Sequence, residues 1–324
     1  MNATLHQRSI IVDGLIIAKF GPDIFRAMKE GGITAANCTC SIWEGFEASM
    51  RAIAEWKGWF RTHADTIRQV YTVEDIHRCK HDSRVGIFLG WQNSTGFGDH
   101  LPNVRVFAEL GLRVVQLTYN TANMAGSGCF ESHDGGLTDF GRELIAEMND
   151  SGILIDLSHV GAKTTTDTIA ASRKPVTFSH CLPLGLKVHP RNKSDAQLKA
   201  MADSGGFIGV TAFPPFLRKG NEATVDDIVE AVDYIVDIAG EDSVGIGTDF
   251  TQGHGPDFFE YINRDKGHFR ALTEFPKIVM PRGFARIEDM PNLTAAFERH
   301  GWPAAKIEKI IGLNWLVALG RAWG

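Results

Sequence analysis

Eight short runs rich in Val, Ile, Leu and Phe recur along the chain with little polar alternation: Ser9–Asp13, Ile33–Cys40, Val85–Trp91, Val114–Tyr119, Ile153–His159, Pro175–His180, Phe207–Phe213 and Val244–Phe250. A strand with one wet face alternates apolar and polar residues. A continuous apolar strand is buried on both faces, as in a parallel sheet covered by helices. The intervening segments supply those helices. Leu137–Asn149 puts Leu137, Phe140, Leu144, Ile145 and Met148 on one stripe, and Ala223–Ala239 repeats the pattern with Val225, Ile228, Val229, Val232, Ile235 and Val236. Asp195–Ala202 gives a shorter crossover. Eight strand–helix units predict an α/β fold, a closed (β/α)8 TIM barrel. An open doubly wound sheet would carry G-x-G-x-x-G after its first strand, where this chain reads VDGLIIAKF.

The 324 residues suit one such barrel with insertions, so a single domain over 1–324 is expected. His254 to Pro291 is rich in Gly, Pro and aromatics without periodicity. It reads as an insertion at about 254–291, after the eighth strand. Leu293–His300 and Ala304–Trp323 then close the barrel.

In this fold, polar side chains at the C-terminal ends of strands face the barrel mouth, where chemistry is done. The third run ends in Gln92, the fourth in Tyr119, the fifth in His159, the sixth in His180 and the eighth in Asp249. Two histidines closing adjacent strands can hold one divalent metal from two sides, because neutral imidazole is a good ligand. An aspartate nearby can exchange protons with a water that the metal acidifies. Asp156 alternates with His159 and is expected to support the site from behind. His6, His63, His77, His81, His100, His133, His254, His268 and His300 are read as rim or core groups satisfied by hydrogen bonds, and Lys19 as a solvated surface lysine.

Charge and cysteine content narrow the partners. A net charge of −6 repels phosphate backbones, which excludes nucleic acid as an expected partner. No apolar stretch reaches the roughly 18 residues of a membrane span. The opening MNATLHQRSIIVDG lacks the pattern of an export signal, so no membrane association is expected. Five scattered cysteines, Cys38, Cys40, Cys79, Cys129 and Cys181, read as reduced thiols in a cytoplasm.

The strings GLTDFGRELIAEMNDSGILIDLSHV, PVTFSH, PRNKSDAQLKAMADSGGFIGV and GIGTDF, in that order, resemble the membrane dipeptidase family (peptidase family M19). The resemblance implies an amidohydrolase-like barrel with two zinc ions that cleaves dipeptides. It implies that His159 and His180 bind the second metal, that Arg191 receives the substrate carboxylate and that Asp249 shuttles the proton. A guanidinium fork suits bidentate carboxylate binding. This chain departs from the family in three places. The family's D-G-H-x-D reads Asp13, Gly14, Leu15, Ile16, Ile17; the bridging glutamate is Gln92; the fourth-strand histidine is Tyr119. Aliphatic side chains do not ligate zinc.

The expectation is therefore a dipeptidase-like metallohydrolase acting on a small amide that bears a carboxylate. It would carry zero or one Zn2+ on His159 and His180, with Gln92 as a weak oxygen ligand. Asp249 and Tyr119 would be catalytic, Tyr119 stabilising a developing oxyanion; Arg191 and Tyr119 would bind substrate. The alternative is an altered homologue that binds an amino-acid-like metabolite without hydrolysing it. A metal-free lyase or isomerase is a weaker third reading. Family members tend to be homodimers, so a homodimer is expected as a possible assembly.

Overall fold

The computed structural model describes residues 3–273 and 277–324. Each of the eight apolar runs overlaps a strand: β1 (Val12–Ile16), β2 (Ala35–Ser41), β4 (Val85–Trp91), β5 (Leu112–Gln116), β6 (Leu154–Asp156), β7 (Thr177–Cys181), β8 (Phe207–Val210) and β9 (Val244–Ile246). They are parallel neighbours in that order. The ring is completed beyond β9, where Ile17 N donates to Phe250 O at 3.0 Å and Asp249 N to Leu15 O at 2.9 Å. The architecture is the expected (β/α)8 barrel. A short extra strand, β3 (Ile67–Gln69), pairs outside the ring with β4. It escaped the sequence reading because three residues in a polar stretch carry no usable period.

Helices between the strands bury their apolar stripes against the barrel. Asp139–Asp150 buries Leu144, Ile145 and Met148 and is capped by Thr138, which accepts from Gly141 N. Val225–Ala239 buries Ile228, Val229, Val232 and Ile235 and begins at a Thr224/Asp227 capping box. Asp195–Asp203 begins at a Ser194/Gln197 box. The last run is helical from Ala304, with a π turn at Lys309–Leu313 before Asn314–Trp323. The strand ends differ from the sequence expectation. β1 starts at Val12 because Ser9 ends a helical turn, Leu5–Arg8, its backbone N–H bonding Leu5 O. β6 and β9 stop three residues before His159 and Asp249, so both side chains sit on the loops just above the rim.

Several polar side chains are buried within the barrel. Asp13, Asn37, Gln116, Asp156, Ser179 and Thr248 are all buried. The centre is so tight that a Cβ on Gly209 or Gly247 would collide with the Ser179 carbonyl. Asp13 ties the first strand to the last: its carboxylate accepts from Thr248 N at 2.8 Å and Thr248 Oγ at 2.7 Å. The segment read as a patternless insertion holds the helix Pro256–Asn263 among its described residues, with short 3-10 turns at Asp265–Gly267 and Ile287–Asp289. Its residues 274–276 lie outside the described residues. This helix covers the mouth. Ile262 packs into a cluster with Leu15, Ile17, Ile42 and Tyr119, and Tyr261 Oη donates to Glu44 Oε1 at 2.7 Å.

Candidate active site

His159 and His180 converge. Their Nε2 atoms lie 3.0 Å apart, and both rings are buried. What stands behind each ring fixes its proton. His159 Nδ1 is 2.7 Å from Asn120 Oδ1, an oxygen that can only accept, so the proton resides on Nδ1. His180 Nδ1 is 2.7 Å from Ser179 Oγ, and that hydroxyl donates to Asp156, so it too accepts from a protonated Nδ1. Burial, reinforced by the nearby Arg191 and Lys193 charges, holds both imidazoles well below the usual histidine range. Both rings are therefore neutral, and their Nε2 lone pairs face each other. Two acceptors at this distance cannot hydrogen-bond to one another; a cation against them relieves the conflict.

Asp156 carries this arrangement. It accepts from Ser158 N and Oγ at 3.0 and 2.6 Å, from Ser179 N at 2.9 Å, and from the Ser179 hydroxyl. Asn120 reaches His159 from a left-handed backbone, φ +60°, a conformation that asparagine tolerates better than most residues. The sequence reading expected Asp156 to support the site but missed Asn120 and Ser179. Their one signal was adjacency, Asn120 to Tyr119 and Ser179 to His180.

Asp249 is buried and also left-handed, φ +59°. Burial raises its carboxyl to about 7, with Arg191 pulling the other way and the Asp13 and Asp156 charges adding to the rise. Tyr119 stacks on His159, with ring centroids 4.2 Å apart, and Trp43 meets its edge at 4.9 Å. Burial, with the Asp249 charge, pushes its hydroxyl above the usual tyrosine range, so it stays a donor.

Arg191 is buried beneath the mouth. It donates to the carbonyls of Ser158 and, at 3.2 Å, His180, and its guanidinium lies 5.2 Å from the Phe216 ring centre. Its Nε has no hydrogen-bond partner, and among the described residues no carboxylate pairs with it. Gln92 is buried, its amide donating to Thr39 Oγ1 at 3.2 Å. Gln92, Tyr119, His159, Arg191 and Asp249 all line one cavity, which offers about 30 Å³ of room to water-sized molecules. His180 stands behind His159. Lys19 is exposed, away from that cavity. His6 is a satisfied core histidine, with Thr294 Oγ1 and Gly31 O at 2.7 and 2.8 Å.

The two sides of the mouth differ in what they can hold. Leu15 and Ile17, in the places of the family's first-metal ligands, are packed among Ile42, Tyr119 and Ile262. Among the described residues, no group of three or more His, Cys, Asp or Glu side chains could hold a metal. The paired imidazoles present two nitrogen lone pairs to a cation, whereas the β1 side presents aliphatic carbon.

A parallel barrel with imidazoles, a raised carboxyl and a guanidinium that has no carboxylate partner around one rim cavity has the arrangement of a hydrolase of the amidohydrolase-like barrel class. Comparison with known proteins makes the assignment specific. The sequence pattern of membrane dipeptidase (peptidase family M19) matches residues 23–322, and the chain belongs to that family, whose members hydrolyse peptide and amide bonds. A solved amidohydrolase from Pseudomonas aeruginosa is 51% identical, covering 99% of this chain and 98% of its own, with a TM-score of 0.98. An uncharacterised dipeptidase of Schizosaccharomyces pombe is 34% identical over 75% of this chain; the match spans 54% of that longer protein. A metallo peptidase from Rhodobacter sphaeroides, solved with a phosphinate mimic of L-Ala-D-Ala, is 22% identical. It covers 97% of this chain and 100% of its own with a TM-score of 0.81, and shares the fold.

Proposed function

We propose that this chain hydrolyses the amide bond of a small, carboxylate-bearing substrate, using at most one metal ion. The observation that carries the reading is the pair of imidazole lone pairs 3.0 Å apart, beside a cavity shared by Asp249, Tyr119 and Arg191. A divalent cation such as zinc, held by His159 and His180 with Gln92 as a neutral oxygen donor, would supply Lewis acidity at that point. The chain's own groups do the rest. Arg191 takes the substrate carboxylate on its unpaired edge, which fixes the amide against the rim. Asp249, raised to about 7, accepts a proton from the attacking water and returns it to the leaving nitrogen. The Tyr119 hydroxyl donates to the carbonyl oxygen as it gains charge. Because the cavity is small, the covering helix Pro256–Asn263 has to give way for substrate to enter.

Elemental analysis of protein purified without chelator or affinity metal tests this, with His159→Ala beside it. Up to one transition metal per chain is expected, lost in the variant, and Arg191→Ala should raise KM steeply. Two ions per chain would overturn the one-metal reading. The apolar β1 side favours a second reading, a pocket that binds an amino-acid-like metabolite without turnover. Metal-dependent hydrolysis abolished by Asp249→Ala would eliminate it.

Among the described residues no helix is long and apolar enough to cross a membrane. All five cysteines are free, which supports a cytoplasmic location as part of this proposal, as the family supports a homodimer.

A further inference from the structure

The walls of the cavity bear on which amide it accepts. A free dipeptide brings two charges, a carboxylate and an α-ammonium about two residues' reach apart. The cavity offers a receptor for the first in Arg191, whose Nε is buried and unpaired. For the second, the described residues of its lining offer no spare anion. Among the described residues the carboxylate lining the cavity is Asp249 alone, and that group has to move a proton. Asp13 and Asp156 lie deeper and are saturated: Asp13 by Leu15 N, Thr248 N and Thr248 Oγ, Asp156 by two backbone amides and two hydroxyls. Glu44 faces outward to Tyr261 and Ile42 N. The rest of the described lining is uncharged: Ile17, Ile262 and Tyr119, which pack together with Leu15 and Ile42, beside the neutral side chains of Gln92, Thr251 and Asn263. An ammonium pressed against such a wall loses its water without gaining a counter-ion, and an unpaired buried charge is among the most costly arrangements a site can impose.

We infer, building on the hydrolase reading above, that the substrate's nitrogen-side end is uncharged: the site takes an N-acylated amino acid, with an apolar acyl group against Ile17 and Ile262, in preference to a free dipeptide. In the reaction, water adds across the scissile C–N bond. The hydroxyl joins the acyl carbon, the bonding electron pair leaves with nitrogen, and nitrogen takes the proton relayed by Asp249. The products are a carboxylic acid and a free amino acid.

Matched ligands isolate the one difference. N-propionyl-alanine is Ala-Ala with its ammonium replaced by hydrogen, so volume, amide and carboxylate are held constant. The wild-type protein, as purified and with its metal content measured, is assayed for turnover and, by calorimetry, for binding. The ligands are N-propionyl-L-alanine, N-propionyl-D-alanine, L-Ala-L-Ala and L-Ala-D-Ala. The expected result is that the better propionyl compound exceeds both dipeptides by about 100-fold in kcat/KM and in affinity. Dipeptides hydrolysed as well as or better than the propionyl compounds would overturn the inference while leaving the hydrolase reading intact. Propionyl compounds bound preferentially but never cleaved would uphold the inference and defeat the hydrolase reading. Binding of none of the four would overturn the inference.

Discussion

The two halves of the barrel mouth have diverged within one rim. On the β6–β7 half, both imidazoles are held from behind by polar groups that fix their orientation: Asn120 behind His159, Ser179 and Asp156 behind His180. On the β1–β2 half, Leu15, Ile17 and Ile42 form an apolar cluster that seats the covering helix. The polar half keeps the means to hold a cation, and the apolar half has become a packing surface. Each half draws its support from its own neighbouring strands. Asp13 illustrates this. It opens the altered β1 motif yet keeps its place, and its bonds run to Thr248, next to Asp249.

The contrast can be broken most directly at Asp249. Asp249→Asn should lower kcat/KM by about 10²- to 10⁴-fold while leaving circular dichroism and melting temperature near wild type, since asparagine tolerates the left-handed backbone. Retained turnover would move the proton chemistry elsewhere. Leu15→Ala probes the apolar half. Loss of a buried leucine side chain should cost about 2–5 kcal/mol in denaturant unfolding and leave metal stoichiometry unchanged. A fall in bound metal would show that the halves are coupled.

Asp13 gives a pH-dependent test. Burial raises its carboxyl to about 6. Between pH 4 and 6 the native state therefore keeps a proton that the unfolded chain has released. Stability should fall as pH rises through that window and level off above it, by on the order of 3 kcal/mol from this group. Chemical denaturation in chelating buffer should show that slope in the wild type and a flatter one in Asp13→Asn. Asp156→Asn weakens the support of His180 and should reduce metal affinity about 10- to 100-fold in competition titrations, with little change at the β1 side. The smallest effect is expected from Tyr261→Phe. Removing its bond to Glu44 costs about 1 kcal/mol, so amide exchange in Pro256–Asn263 should quicken by about fivefold.

Much of this was legible in the chain before any coordinates. Eight largely unalternating apolar runs and their amphipathic crossovers pointed to a parallel barrel, because burial of both strand faces leaves a short list of architectures. The barrel in turn puts His159, His180, Gln92, Tyr119 and Asp249 at one end. The substitution of Leu15 and Ile17 for ligands was equally readable, since aliphatic carbon has no lone pair to give.

Tertiary structure alone decided the rest. Which nitrogen of each histidine carries the proton depends on Asn120, 39 residues before His159, and on Asp156 acting through Ser179, 23 residues apart. The freedom of Arg191 depends on which carbonyls reach it and which carboxylates do not. The covering helix gave no usable period in the sequence, yet its Ile262 lands on the altered β1 motif. Periodicity and residue chemistry are local and survive in a string of letters. Tautomer, charge state and the pairing of polar atoms are set by neighbours brought together across the barrel, and those distances exist only after the chain has closed on itself.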